Sequence, residues 1–176
     1  MEGVERAHVL PLRPPHPLLS LRPLPVEPLD FPAYDLPVRE QDGRAFVLDP
    51  VRRRWVRLTP EERVRQLLLR LLADLGHPTG LTAVEKGFDY LGAVWRADVV
   101  VHDRRGRPLL MAECKAPDVP VTQATFDQLA RYNAVVGARA LLATNGRVHY
   151  CCARDADGAY RFLDAIPTFD ALVAGP

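Results

Sequence analysis

Apolar positions along this chain recur with two different periods, and each change of period marks an element. Thr59-Pro60-Glu61-Glu62 has the form of a helix start: a threonine cap, a proline in the first turn and a glutamate three residues after the cap. Val64, Leu67, Leu68, Leu71, Leu72 and Leu75 follow at helical spacing, and Gly76 with Pro78 ends the run. This predicts an amphipathic helix with one face in the core. Before it, Ala45–Leu48 and Trp55–Leu58 read as short strands, joined by a turn at Asp49-Pro50 and the basic run Arg52-Arg53-Arg54. After it come three β-rich segments: Leu81 to about Asp89, Val94–Val101, and Leu109–Lys115, the last stopped by Pro117. With Asp103-Arg104-Arg105-Gly106 as a turn, they suit an antiparallel meander. A second helix is predicted from about Thr122 to Val136, ending at Gly137, with Phe126, Leu129, Ala130 and Val136 along one face. Ala140–Thr144 reads as a strand, Asn145-Gly146 as a two-residue hairpin turn, and Val148–Cys152 as its partner. Asp157-Gly158 then turns the chain into Tyr160–Leu163.

Helix, three strands, helix, strand and further hairpin strands make an α/β domain, a mixed β-sheet flanked by helices. Its expected span is residues 38–170, and the 176-residue length suits one domain with a real core. Residues 1–37, with prolines from Pro11 through Pro37, are expected to form an extended or disordered tail; a proline-rich ligand for a partner is the alternative. Residues 171–176 form a short C-terminal tail in this reading.

Composition narrows the function classes. The formal net charge is +1, so no global basic field attracts nucleic acid and any such binding needs local patches. Arg52, Arg53 and Arg54 form one candidate patch, and Arg104 and Arg105 a second; solvated charged loops are the plainer account of both. Three cysteines, Cys114, Cys151 and Cys152, do not make a disulfide framework, which points to a reducing compartment and a cytoplasmic protein. No stretch approaches the ~20 apolar residues of a membrane helix, and the N-terminus lacks the features of a signal peptide. His102 and His149 have no metal-ligand spacing around them.

One constellation carries chemistry. Strand alternation puts Glu113 and Lys115 on one face and Cys114 on the other, at the end of the apolar run Leu109-Leu110-Met111-Ala112. Asp98 sits mid-strand among Ala97, Val99, Val100 and Val101, and a hairpin turn near Arg104-Arg105 brings it toward Glu113. Two carboxylates close together in low dielectric repel unless a cation lies between them. Magnesium suits that role, commonly held by one or two carboxylates plus substrate phosphate, and Mn²⁺ is the other candidate. Lys115 can orient or deprotonate a water or stabilise charge on the phosphate, and Glu85 on the preceding strand offers a third carboxylate to the metal. Surface salt bridges at a strand edge are the plainer account of Glu-x-Lys alone.

These residues resemble the PD-(D/E)XK nuclease superfamily, and more narrowly the N-terminal nuclease domain of type I restriction enzyme R subunits and short stand-alone relatives. The matching stretches are Leu58-Thr59-Pro60-Glu61-Glu62 with Val64-Arg65-Gln66, Arg96-Ala97-Asp98, Glu113-Cys114-Lys115-Ala116-Pro117, Gln128-Leu129-Ala130-Arg131-Tyr132-Asn133 and Thr144-Asn145-Gly146. The resemblance covers about residues 30 to 170 and implies a restriction-endonuclease-like core. It implies Asp98 and Glu113 as metal ligands, Glu85 as the earlier acid, Lys115 as the catalytic lysine, and Gln128 with Tyr132 as a supporting Gln-x-x-x-Tyr motif. The alternative for that pair is a Gln128 that closes a capping box with Thr125 and a Tyr132 packed in the core. Ala97 stands where the superfamily name has a proline, and no G-x-x-x-x-G-K-[ST] motor motif occurs. The implied function is Mg²⁺-dependent DNA endonuclease, with a homodimer or other restriction or repair subunits as partners. The alternatives are a catalytically silent nucleic-acid-binding or scaffold module and a subunit active only in a complex.

Overall fold

Strand β1 (Val38–Gln41), β2 (Arg44–Asp49) and β3 (Arg54–Arg57) form a small antiparallel sheet ahead of the first helix. The computed structural model describes residues 29–90, 93–155 and 157–175. The reading of residues 1–28 as a proline-rich tail lies outside that range. Buried Asp49 shapes the β2–β3 turn: its Oδ1 accepts the backbone N–H groups of Val51 (2.8 Å) and Arg52 (2.6 Å). A short polar side chain that mimics a backbone turn is the reason aspartate suits this place.

Helix α1 (Pro60–Asp74) starts as its sequence predicts, with the Thr59 hydroxyl accepting from the Glu62 N–H at 3.1 Å. The reciprocal half of the capping box is absent, because the Glu62 carboxylate pairs with Arg52 and Arg65 instead. Val64, Leu67, Leu68 and Leu72 are buried as expected, and Leu69 joins them.

The main sheet is mixed, in the order β4 (Thr82–Tyr90), β5 (Ala93–His102), β6 (Pro108–Cys114), β7 (Ala140–Thr144), β8 (His149–Arg154) and β9 (Tyr160–Leu163). β6 and β7 run parallel, joined across helix α2 (Gln123–Val136), and the other neighbours are antiparallel. A parallel pair needs such a crossover. One face packs on α1 through Val99, Val101, Leu110, Ala112 and Leu142. The other packs on Phe126 and Leu129 of α2 through Val100, Met111, Leu141, Ala143 and Cys152. Coverage on both faces explains the near-continuous apolar runs of β6 and β7.

Four details depart from the sequence reading. Order extends into the expected tail, where Leu29 and Phe31 pack on the α1-side core, and the small sheet has a first strand, β1, that the apolar pattern does not predict. The expected C-terminal tail contains most of helix α3 (Phe169–Ala174), whose Phe169 and Leu172 are buried; six residues leave too little periodicity to read. The β7–β8 turn is not a two-residue loop, since Thr144 pairs with His149 across Asn145–Val148. Asn145 Oδ1 accepts from the Arg147 and Val148 N–H groups and holds the wider loop. The capping box of α2 joins Thr122 and Thr125, without Gln128.

Gly146 anchors the N-terminal strap. Its carbonyl accepts from the Asp30 N–H at 2.6 Å, and its φ is 80°, where a Cβ would lie 3.1 Å from Leu29 and 3.2 Å from Val64. Gly146→Ala is therefore expected to lower unfolding free energy by at least about 1–2 kcal/mol, the cost of a left-handed L-residue. Chemical denaturation measures that loss, and hydrogen exchange at the Asp30 amide should accelerate with it.

Candidate active site

The row Glu85, Asp98, Glu113 crosses three strands. Val84 pairs with Val99 and Lys86 with Ala97, so Glu85 lies opposite Asp98; Val99 pairs with Ala112, so the next step sets Asp98 opposite Glu113. The regular ladder breaks at this row. Glu85 has φ 52°, an unusual value for a residue with a side chain, and it forms no ladder pair with Asp98. Ala97 packs with the α2-side cluster while Val99, two residues on, packs with the α1 side. The side chain between them turns to α1: Asp98 Oδ1 accepts from Arg65 Nη2 at 2.8 Å, and its Oδ2 accepts the Cys114 N–H at 2.7 Å.

Lys115 Nζ donates to Glu113 Oε1 at 2.6 Å. Burial pushes the Glu113 carboxyl above its usual range, and repulsion from Asp98 pushes it the same way, against the pull of Lys115. Burial opposes the Lys115 charge, but the hydrogen bond to Glu113 together with the nearby charges of Glu113, Asp98 and Glu61 outweighs it and holds the ammonium above its ordinary value. Lys115 is thus a protonated donor at neutral pH, suited to hold an anion or orient a water rather than to accept a proton. The Cys114 thiol is fully buried, and burial raises it well above its usual value, so it is inert.

Arg52 and Arg65 organise the remaining acids. Arg52 Nε meets Asp49 at 2.7 Å, its Nη1 meets Glu85 at 2.7 Å, and its Nη2 meets Glu62. Arg65 bonds Glu62, Asp98, and Glu61 at 3.3 Å. Gln66 Nε2 closes the group by donating to Asp49 (2.7 Å) and Glu62 (2.9 Å). Sequence reading put Arg52 in a phosphate-binding patch; the fold buries it among three carboxylates, with its side chain 12% exposed. Arg53 and Arg54 are exposed. Arg104 and Arg105 are exposed too, but their turn lies five or more residues along β5 from Asp98, roughly 15 Å or more at strand rise, so they do not flank the site.

Glu85 faces Asp98 in register yet is held by Arg52, and among the described residues no group of three or more His, Cys, Asp or Glu side chains is gathered to hold a metal. Asp98 and Glu113 remain the converging pair. Gln128 and Tyr132 are half-buried on α2, and Tyr132 packs against the α2-side core.

Sequence reasoning gave Glu62 a capping role and Asn145 a turn role but no part in the site to Glu62, Arg65 or Asn145, although the matching stretches contained all three. Asn145 Nδ2 donates to the Val119 carbonyl at 2.9 Å, and the Thr144 carbonyl accepts the Lys115 N–H at 2.8 Å, so this turn tethers the chain on both sides of Ala116-Pro117. Because Asp49 and Glu62 are buried and share Arg52, Arg52→Ala is expected to cost about 3–5 kcal/mol of stability in urea unfolding. Arg54→Ala, at an exposed strand end, should stay within about 0.5 kcal/mol.

Comparison with known proteins places this arrangement. A search of curated proteins found no match. Among solved structures, a fragment of a chain assigned as the HsdR subunit of a type I restriction enzyme from Vibrio vulnificus superposes with a TM-score of 0.50 at 23% identity. The match covers 66% of this chain and 25% of that one, so this chain spans about a quarter of its length. That likeness concerns the fold. The model for the type I restriction enzyme R protein N terminus matches residues 60–167, from the first residue of α1 to just past β9, and takes in Asp98, Glu113 and Lys115. The chain belongs to the family of the type I restriction enzyme R protein N terminus.

Proposed function

We propose that the protein is a metal-dependent nuclease that hydrolyses phosphodiester bonds of DNA, with Asp98, Glu113 and Lys115 as its working residues. The observation that carries this reading is the strained pair of carboxylates beside a protonated lysine: Glu113 is destabilised as an anion by burial and by Asp98, and Lys115 is bonded to it. Five carboxylates (Asp49, Glu61, Glu62, Glu85 and Asp98) share two guanidinium groups, and the Glu113–Lys115 pair adds no surplus cation. Such an excess of carboxylate charge fits a hard divalent cation, Mg²⁺ or Mn²⁺, with oxygen donors from Asp98 and Glu113 and the remaining positions left to water and substrate phosphate. A cation bound there supplies Lewis-acid polarisation of the phosphate and a more acidic water.

The chain's own contributions follow from the geometry. The Cys114 N–H and Arg65 fix Asp98. Glu113 holds the Lys115 ammonium at the end of β6, where it can donate to a phosphate oxygen or to the attacking water. Asn145 and Thr144 restrain the segment that follows Lys115. Family membership supports a role beside other restriction subunits, with the DNA-translocating machinery on another chain or segment. A second reading, a silent binding module on a nuclease fold, draws on the two arginines that already occupy Asp98 and Glu85.

Cleavage of supercoiled plasmid in Mn²⁺ or Mg²⁺ tests the two readings. Nicking that requires the metal and falls at least about 100-fold in both Glu113→Ala and Lys115→Ala is expected, in line with the loss of one electrostatic stabiliser. Wild-type protein that neither cleaves nor binds Mn²⁺ in calorimetry would leave the silent module as the reading to keep.

A further inference from the structure

We infer that Arg65 is a positioning residue: it sets the Asp98 carboxylate in the orientation that receives the cation, and Arg52, from outside the family-matched segment, braces it through Glu62. The inference rests on the nuclease reading and adds a part to it.

The geometry is that of a supporting layer. Asp98 is gripped at both oxygens, by Arg65 Nη2 at 2.8 Å and by the Cys114 N–H at 2.7 Å, and each oxygen keeps a second lone pair for a cation. Metal-binding carboxylates are commonly held in this way, and loss of the outer partner typically weakens metal affinity or activity by about 10–100-fold. A cation beside a metal ligand should repel the metal, and the neighbours of Arg65 decide that point. Its guanidinium also contacts Glu62 and Glu61, so its charge is balanced by residues other than Asp98. Glu62 is in turn fixed by Arg52 and Gln66, and Arg52 by the Asp49 turn. An unbroken line of charge-assisted bonds therefore runs from the β2–β3 turn to the site.

Arg65 is buried, and its Nε has no hydrogen-bond partner among the described residues. An arginine that leaves one buried donor unmet to direct both terminal nitrogens at carboxylates is placed by those carboxylates rather than by general packing. Lysine, a compact point charge without the planar fork, loses the fixed two-point geometry by which Arg65 Nη1 meets Glu62 and Nη2 meets Asp98.

The experiment uses the full chain as wild type, Arg65→Lys, Arg65→Gln and Glu62→Gln. Folding is checked by circular dichroism, Mn²⁺ binding is measured by calorimetry without DNA, and nicking is measured across a Mn²⁺ titration. Folded Arg65→Lys should bind Mn²⁺ about 10–100-fold more weakly and recover nicking toward the wild-type rate at saturating Mn²⁺, because the defect lies in orienting Asp98. Unchanged or tighter Mn²⁺ binding in folded Arg65→Lys would overturn the proposal, marking Arg65 as a packing partner or a competitor of the metal. If neither Arg65 variant folds, Glu62→Gln decides: it loosens Arg65 without touching Asp98, so weaker Mn²⁺ binding supports the role and wild-type affinity refutes it. A wild type that binds no Mn²⁺ removes the nuclease reading and this inference together, whereas a wild type that binds and cleaves beside an unaffected Arg65→Lys removes this inference alone.

Discussion

Arg52 and Arg65 hold the carboxylates of four separate elements in one place, and the rest of the site depends on that bracing. Burying an ion pair seldom adds net stability, since desolvation of both partners offsets their attraction. Its effect is on specificity of arrangement. Asp49 sits in the turn of the small sheet, Glu62 in the first turn of α1, Glu85 in β4 and Asp98 in β5. Asp49 and Glu62 find a guanidinium locally, in Arg52 and Arg65 three residues on, whereas Glu85 and Asp98 gain one only when β4 and β5 dock on the turn and on α1. The network therefore couples docking of the N-terminal sheet to the placement of Asp98.

The irregular step between β4 and β5 belongs to the same constraint. A regular ladder would alternate Ala97, Asp98 and Val99 across the sheet, and Asp98 would share the face of Val100, with α2. The observed slip, with Glu85 in a left-handed conformation, turns Asp98 toward Arg65 and the Cys114 amide. Backbone strain of this kind persists only where the surroundings over-determine it. Here Arg52 on Glu85 and Arg65 on Asp98 supply the restraint, while the flanking pairs Val84–Val99 and Lys86–Ala97 keep the register.

Behind the acids, the β7–β8 turn acts as a rigid backstop. His149 Nε2 donates to the Asp30 carbonyl at 2.6 Å, which leaves Nδ1 to accept from the Thr144 hydroxyl at 2.8 Å, and that hydroxyl accepts the Gly146 N–H. Thr144 in turn presents its carbonyl to the Lys115 N–H. The strap at Leu29–Phe31 therefore supports the lysine from behind, although it lies in a stretch whose prolines point to no regular structure.

Sequence alone determined what is local. The period of the apolar residues set α1, α2 and every strand but β1 to within a few residues, because burial of one or both faces imposes those periods; all four residues of β1 are exposed. Turn chemistry was legible for the same reason: Asp49, Asp103 and Asn145 each bond backbone groups two to four residues away. The order of motifs was enough to bring Asp98, Glu113 and Lys115 to one end of a meander. Tertiary structure decided what depends on pairing at long range. Whether Arg52 meets phosphate or carboxylate turns on contacts with Glu62 and Glu85, 10 and 33 residues away, and whether Glu85 joins Asp98 turns on which cation reaches it first. A charged side chain looks the same in a sequence whether solvated or buried; only the packing of α1 on the main sheet and beside the β2–β3 turn fixes its partner, because a charge removed from water must find one nearby.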